Sequence, residues 1–366
     1  MTNEHLQAVD KASCAACGGH ATWDPGRQAL ICPYCGTVAP GELDQDSGKV
    51  REIDLVKTLR EMPEELRGWK AEKRSVKCRS CHAVSVFDPE RVGQNCGFCG
   101  SPELVDYDEI KAPLRPQSIL PFRVDERAVR TNIKKWLAKK WLAPGRLKKS
   151  AWVDTVKGFY LPYWTFDAQV EAEWTASSGT YYYTTEQVRG SDGKMTTRQK
   201  RHTRWRPAAG RVSHFFDDEP VPGTQGVRKD LLKRIEPFPT GDSLPYDTAY
   251  LSGFVVEHYQ IVLIDAAQEA RASMDRKLES LCASQIPGDT YRNLQVSADY
   301  SARTFKHILV PVWVLTYGFS SKSFQLLANG VTGEIAGDYP KSWIKIVLLV
   351  LGILAVVAVL AVLAQG

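Results

Sequence analysis

Apolar residues along this chain fall into helical, alternating and unbroken patterns. After Asp125, a plausible helix cap, Val129, Ile133, Trp136, Leu137 and Trp141 recur at helical spacing until Pro144 stops the pattern. A second amphipathic helix is expected over Ala266–Ala283, where Ala270, Met274, Leu278, Leu281 and Cys282 share one face. Cys282 there is a buried small apolar side chain rather than a nucleophile. A short helix is expected around Asp54–Glu61, before Pro63. Beyond Trp152 the pattern turns to strands, clearest over Tyr160–Ala176 and Thr304–Phe319. Asn329-Gly330 predicts a hairpin turn between Phe324–Ala328 and Val331–Ala336, and Ser191-Asp192-Gly193 predicts a polar one. The two clear strands share Leu161-Pro162-Tyr163-Trp164 against Val310-Pro311-Val312-Trp313, and each follows an amphipathic helix. That recurrence hints at a domain of two related halves.

The unbroken pattern is Ile346–Ala364, a run without charge. At 1.5 Å per residue it covers roughly 28 Å as a helix, close to the ~30 Å hydrocarbon thickness of a bilayer. A soluble helix is seldom apolar on every face. The expectation is therefore a transmembrane helix over residues 343–364, in contact with membrane lipids. Lys341, Lys345 and Trp343 precede it, which by the positive-inside rule places residues 1–342 in the cytoplasm, on a single-pass protein of the inner (cytoplasmic) membrane. The N-terminus is polar and lacks the basic start and apolar run of a signal peptide.

Cysteine usage is uneven. Cys14, Cys17, Cys32 and Cys35 match Cys78, Cys81, Cys96 and Cys99 at a constant offset of 64, which also aligns Trp23-Asp24-Pro25 with Phe87-Asp88-Pro89. Each copy reads C-x2-C, fourteen residues, C-x2-C, the spacing of two knuckles folded over one tetrahedral ion. Four thiolates form a closed, soft shell with no open position, so structural zinc is expected, two ions per chain, with iron as the competitor. Glycine follows three of the knuckles (Gly18, Gly36, Gly100), where a tight turn favours positive φ, and His82 stands at the fourth. His82 and His20 are left out of the metal set. Disulfides conflict with a reducing cytosol, and a thioredoxin-like centre needs one C-x-x-C between strand and helix.

The expected fold is multidomain: two four-cysteine zinc ribbons, an α+β domain with antiparallel strands, and one C-terminal transmembrane helix. The boundaries are a tail (1–12), ribbon 1 (13–38), a charged spacer (39–75), ribbon 2 (76–104), a proline-containing linker (105–121) and the α+β domain (122–340). Charge is concentrated rather than spread. Arg123–Lys149 carries ten Lys/Arg against Asp125 and Glu126, while the whole chain has a net charge of +5. That segment could face anionic headgroups or simply be solvated. Arg189–Arg211 holds eight Lys/Arg with Asp192 the only acid, which points to an acidic partner.

The paired ribbons, Leu120-Pro121-Phe122 before the basic helix, Gly158–Asp167 and Asn329-Gly330-Val331-Thr332-Gly333 together resemble a family of bacterial zinc-ribbon membrane proteins. Its members are often labelled primosomal helicase-like or as carrying transcription-factor-IIB-type ribbons. The resemblance implies a membrane partner of stomatin-like (band-7) or phage-shock-type proteins. No G-x-x-x-x-G-K-[ST] occurs, which argues against a helicase, and H-E-x-x-H and G-x-S-x-G are absent as well. Asp217-Asp218-Glu219 reads as a solvated turn rather than a metal site.

Two function classes remain. The favoured one is a membrane-anchored, non-enzymatic adaptor that binds protein partners at the cytoplasmic face. The alternative is a membrane-tethered nucleic-acid-binding protein, whose affinity would fall steeply with salt. The first ribbon favours the adaptor: residues 14–36 contain only Arg27 against Asp24, and each zinc with four thiolates adds about two negative charges.

Overall fold

The long strands of this protein follow from a change of pattern within single segments. Phe159-Tyr160-Leu161-Pro162-Tyr163-Trp164 is buried on both faces, whereas further along Val170, Ala172 and Trp174 are buried between exposed Glu171 and Glu173. A continuous apolar run suits a strand covered on both sides, and alternation suits one covered on one side. Both patterns belong to one strand. The computed structural model describes residues 14, 16–39, 50, 52–60, 74–79, 83–87, 96, 104–106, 114–145, 156–189, 195–319 and 322–365.

The first ribbon contributes β1 (Thr22–Asp24), β2 (Ala29–Ile31) and β3 (Val38–Ala39), an antiparallel sheet. After β4 (Ile53–Asp54) and α1 (Leu55–Arg60), the second contributes β5 (Arg74–Cys78), β6 (Val84–Phe87) and β7 (Leu104–Asp106). The main sheet then builds from β8 (Ser118–Ile119), β9 (Lys157–Arg189), β10 (Met195–Pro222), β11 (Leu244–Pro245), β12 (Val255–Val256), β13 (Thr290–Phe319), β14 (Lys322–Asn329) and β15 (Ile335–Gly337). Its central order is β10-β9-β13-β14-β15. The helices of this region are α2 (Glu126–Ala138), α3 (Lys229–Ile235), α4 (Leu263–Gln285) and α5 (Trp343–Gln365).

Asp125 caps α2 by accepting the Ala128 N–H at 2.6 Å, and Val129, Ile133 and Leu137 face the core. The helix ends at Ala138, so Trp141 lies beyond it and is exposed. Lys134, Lys135 and Lys139 point to solvent, and Lys140 sits 4.4 Å over the Trp136 ring. Helix α4 buries Ala266, Ala270, Met274, Leu278 and Cys282 against the even-numbered residues of β9.

The sheet contains a local two-fold relationship. Leu161 pairs with Val310, flanked by Pro162 opposite Leu309 and Tyr160 opposite Pro311. Short β12 runs parallel to β9 at Phe159–Tyr160, while short β8 runs parallel to β13 at the equivalent Ile308–Leu309. Each half thus lends a short strand to the long strand of the other. Pro162 and Pro311 sit where the outer neighbour changes from that parallel strand to an antiparallel one, β10 from Tyr163 or β14 from Val312. A missing N–H is tolerated at such a break. The two proline carbonyls accept from Gly223 N and Gly330 N, both at 2.8 Å. In turn the Gly223 carbonyl accepts from Gln260 and Ile261, and that of Gly330 from Arg123 and Val124.

Three expectations are corrected. The chain is mostly β-sheet with few helices, not an α+β domain beside separate units, because β9, β10 and β13 are far longer than their apolar stretches indicate. Asn329-Gly330 is not a two-residue hairpin turn. The Asn329 N–H bonds Glu334 O across a longer loop, its Oδ1 accepts from Val331 and Thr332, and positive φ falls on Gly333.

The third correction concerns the C-terminus. Among the described residues no helix is long and apolar enough to cross a membrane. In the first turn of α5, Lys345 Nζ donates to Trp141 O at 2.7 Å and Ala143 O at 2.8 Å. The single-pass inner-membrane placement falls with the span.

Candidate metal centre

Ribbon 1 is a hairpin carrying a knuckle at each end. Asp24 Oδ1 accepts the N–H groups of Gly26 (2.9 Å) and Arg27 (3.0 Å), which sets the turn between β1 and β2. In the first knuckle Cys14 N donates to Gly19 O and Gly18 N to Cys14 O; in the second Cys32 N donates to Thr37 O and Gly36 N to Cys32 O. Gly18 and Gly36 take φ of 70° and 72° with open space around them, so backbone conformation and not crowding requires glycine.

These turns bring four sulfurs together. Cys14 Sγ lies 3.5 Å from Cys35 Sγ and Cys17 Sγ 3.5 Å from Cys32 Sγ, with all four within 4.8 Å of one another. Four sulfurs about 2.3 Å from a tetrahedral zinc would be about 3.8 Å apart, so this set fits the ion. Thiols this close titrate as one group. Hydrogen bonds from the Thr37 side chain and backbone, with help from Cys17, bring Cys35 down to about 6. Cys17 is pushed up to about 12: the Gly19 N–H lowers it, but the Cys35 and Cys32 sulfurs outweigh that. A bound cation would displace the protons such a cluster retains. His20 is outside the set.

In the second copy Cys81, Cys99 and His82 lie outside the described residues. The described part repeats the first knuckle: Cys78 N donates to Ala83 O at 2.9 Å, the counterpart of Cys14 to Gly19. Cys78 and Cys96 are both buried, in a cluster with Phe159, Leu161 and Leu231.

Both ribbons rest on one segment of the main domain, residues 250–258. Trp23 packs edge-on against Tyr250 (4.6 Å), Trp23 N donates to Ser252 O, and Ser252 Oγ donates to Ala21 O at 2.7 Å. Gln28 Nε2 adds a bond to Phe122 O at 2.8 Å. On the other side His258 N donates to Val84 O, and a Cβ on Gly226 would lie 2.4 Å from Ala83 Cβ, so only glycine admits the second ribbon. Sequence reasoning missed this seat, since Tyr250 and Ser252 carry no motif.

It also missed Glu257, fully buried beside the second ribbon. Its carboxylate accepts from Thr224 Oγ1 and Gln260 Nε2, both at 2.7 Å, and burial pushes it up to about 7, with Cys96 adding to the shift. Asp217-Asp218-Glu219 is not a solvated turn. It forms a β-bulge in which Asp218 (φ 50°) pairs with Lys306 Nζ at 2.7 Å and Glu219 pairs with Lys277. Asp167 joins through Asp218 N and Thr304 Oγ1. Lys306 Nζ lies between Asp218 and Glu52, while Asp217 is exposed.

No family model matches the chain. No solved structure matches it either. Among curated proteins it is similar to the uncharacterized protein YdjG of Bacillus subtilis (strain 168), with 23% identity over 240 residues, 65% of this chain and 68% of that protein. That similarity carries neither a ligand nor an activity to this chain.

Proposed function

We propose that this chain is a non-catalytic adaptor whose ribbons, each closed by structural zinc, are held on a β platform and present surfaces to protein partners. The observation that carries the reading is the convergence of Cys14, Cys17, Cys32 and Cys35 within 4.8 Å. Four protein ligands leave no coordination position for water or substrate, so the ion serves shape, not chemistry. Docking through Trp23 and Ser252 supports the same view, because a seated ribbon exposes one fixed side. On that side Tyr34 is 78% exposed and Val38 49%. The Tyr34 ring approaches Gly19 so closely that a Cβ there would lie 2.7 Å from it, which fixes the ring's orientation. Exposed tyrosine on a rigid support is a common anchor of protein interfaces.

The test is capture of partners by the full chain, compared with Tyr34→Ser and Val38→Ser. Both variants should keep their metal and lose partners. Unchanged capture by these variants and by metal-stripped protein would overturn the adaptor role of ribbon 1.

A further inference from the structure

Beyond Gly179 the main sheet narrows to two strands. The last β13 pairing is Thr290 with Gly179, while β9 and β10 continue together to Arg189 and Met195. Ten residues per strand at about 3.3 Å each give an arm roughly 30 Å long. Its root is fixed. Ser178 Oγ donates to Pro287 O, Asp289 N to Gly179 O, and Tyr181 N to Asp289 Oδ2.

Both faces of the arm carry basic and aromatic side chains, and one of them continues the surface under α4. Register places Tyr291 beside Ser178 and Arg206, followed by Arg204, then Tyr182 opposite His202, then Lys200 and Arg198, all on the face that α4 covers lower down. Helix α4 ends at Gln285, so this face lies bare beyond it. Lys200 pairs with Glu186, the one carboxylate on the stripe, whereas among the described residues no carboxylate pairs with Arg198, Arg204 or Arg206. Tyr291 is 47% exposed and Tyr182 44%, and the Tyr182 and His202 rings lie nearly parallel, 5.3 Å apart.

We propose that this face of the β9–β10 arm binds single-stranded nucleic acid, an activity separate from the adaptor role of the ribbons. Arg198 and Lys200, and then Arg204 and Arg206, stand two residues apart, about 6.8 Å within each pair, with His202 between the pairs, an extended line of cations suited to a phosphate backbone. Exposed rings among them offer stacking platforms for bases, which duplexes and headgroups do not present. Charge alone would serve to blunt an open sheet edge, for which lysines suffice. Exposed tyrosines work against that purpose. A membrane-inserting surface would carry aliphatic or tryptophan side chains, and between Ser178 and Glu186 this face has none.

The experiment uses the full chain and a fluorescent oligothymidine, titrated across a salt series. Replacing Arg198, Lys200, Arg204 and Arg206 together by Gln should weaken binding at least about tenfold at low salt and flatten the dependence of log K on log salt by about 2–3. Tyr182→Ala with Tyr291→Ala should weaken binding about tenfold and leave that slope unchanged. All six side chains are at the surface, so circular dichroism should show unaltered folding. Absence of oligothymidine binding at low salt overturns the proposal. So does equal binding of heparin or anionic vesicles with no effect of the tyrosine changes, which would mark a plain polyanion surface.

Discussion

Trp164 and Trp313 make the same hydrogen bond in opposite halves of the sheet: the indole N–H of each donates at 2.9 Å to a carbonyl two residues before a helix, Ile261 for α4 and Val124 for α2. Each tryptophan belongs to one half and fixes the helix entry of the other. Trp→Phe at either position keeps most of the ring volume and leaves a buried carbonyl with one partner fewer. The expected cost is about 1–3 kcal/mol for each, read as a lower urea midpoint at unchanged m-value.

The two glycines beside the central prolines are equivalent in hydrogen bonding but not in space. A Cβ on Gly330 would lie 2.7 Å from both Phe122 Cδ1 and Pro311 Cβ, whereas on Gly223 it would lie 3.0 Å from Pro162 O. Gly330→Ala should therefore destabilise by about 1–3 kcal/mol through overpacking, and by more than Gly223→Ala. Equal melting temperatures for the two variants would contradict this.

Metal analysis of the full chain should give two zinc ions, and Cys32→Ser should give one. Structural zinc in small peptides contributes on the order of 10–16 kcal/mol, so the substituted ribbon should unfold and become open to protease around Trp23. Retention of both ions by the variant would remove Cys32 from the ligand set.

His307 is fully buried, stacked 4.7 Å from Trp164, with Nδ1 against Leu114 O at 3.1 Å. Burial holds its imidazole down at about 3, below the ordinary 6.5. The unfolded chain therefore binds a proton first on acidification, and stability present above pH 6.5 is lost as pH falls toward 3. His258, at about 4, acts in the same direction. Glu257, raised to about 7, acts oppositely and loses its contribution as pH rises from 4.5 through 7. His307→Gln removes only the first of these. Urea midpoints from pH 7 to 4 should fall less steeply for this variant, by up to about 1.4 kcal/mol per pH unit below 6.

Local chemistry was legible where one residue type suffices. Asp125 before an apolar repeat marked the α2 cap, and glycine after a knuckle marked the positive φ of Gly18 and Gly36. The shared Pro-x-Trp pointed to the local two-fold, but Gly223 was not visible as the counterpart of Gly330, since Pro-Gly and Asn-Gly look unrelated. The length of β9 was hidden because Thr180–Val188 is polar on both faces and has no period to read. The unbroken apolar run after Lys345 suggested a span that the described helix does not support. Composition alone does not fix the surroundings of such a helix.

The exchanged short strands also bear on biosynthesis. Ser118–Ile119 can close its ladder only on Ile308–Leu309, and the neighbouring bond from His307 N to Gln117 Oε1 spans 190 residues. At 5–20 residues per second a ribosome needs roughly 10–40 s to deliver that partner. During that interval the nascent first half holds Phe159, Leu161 and Tyr163 without their covering strand, a substrate for chaperones until the second half emerges.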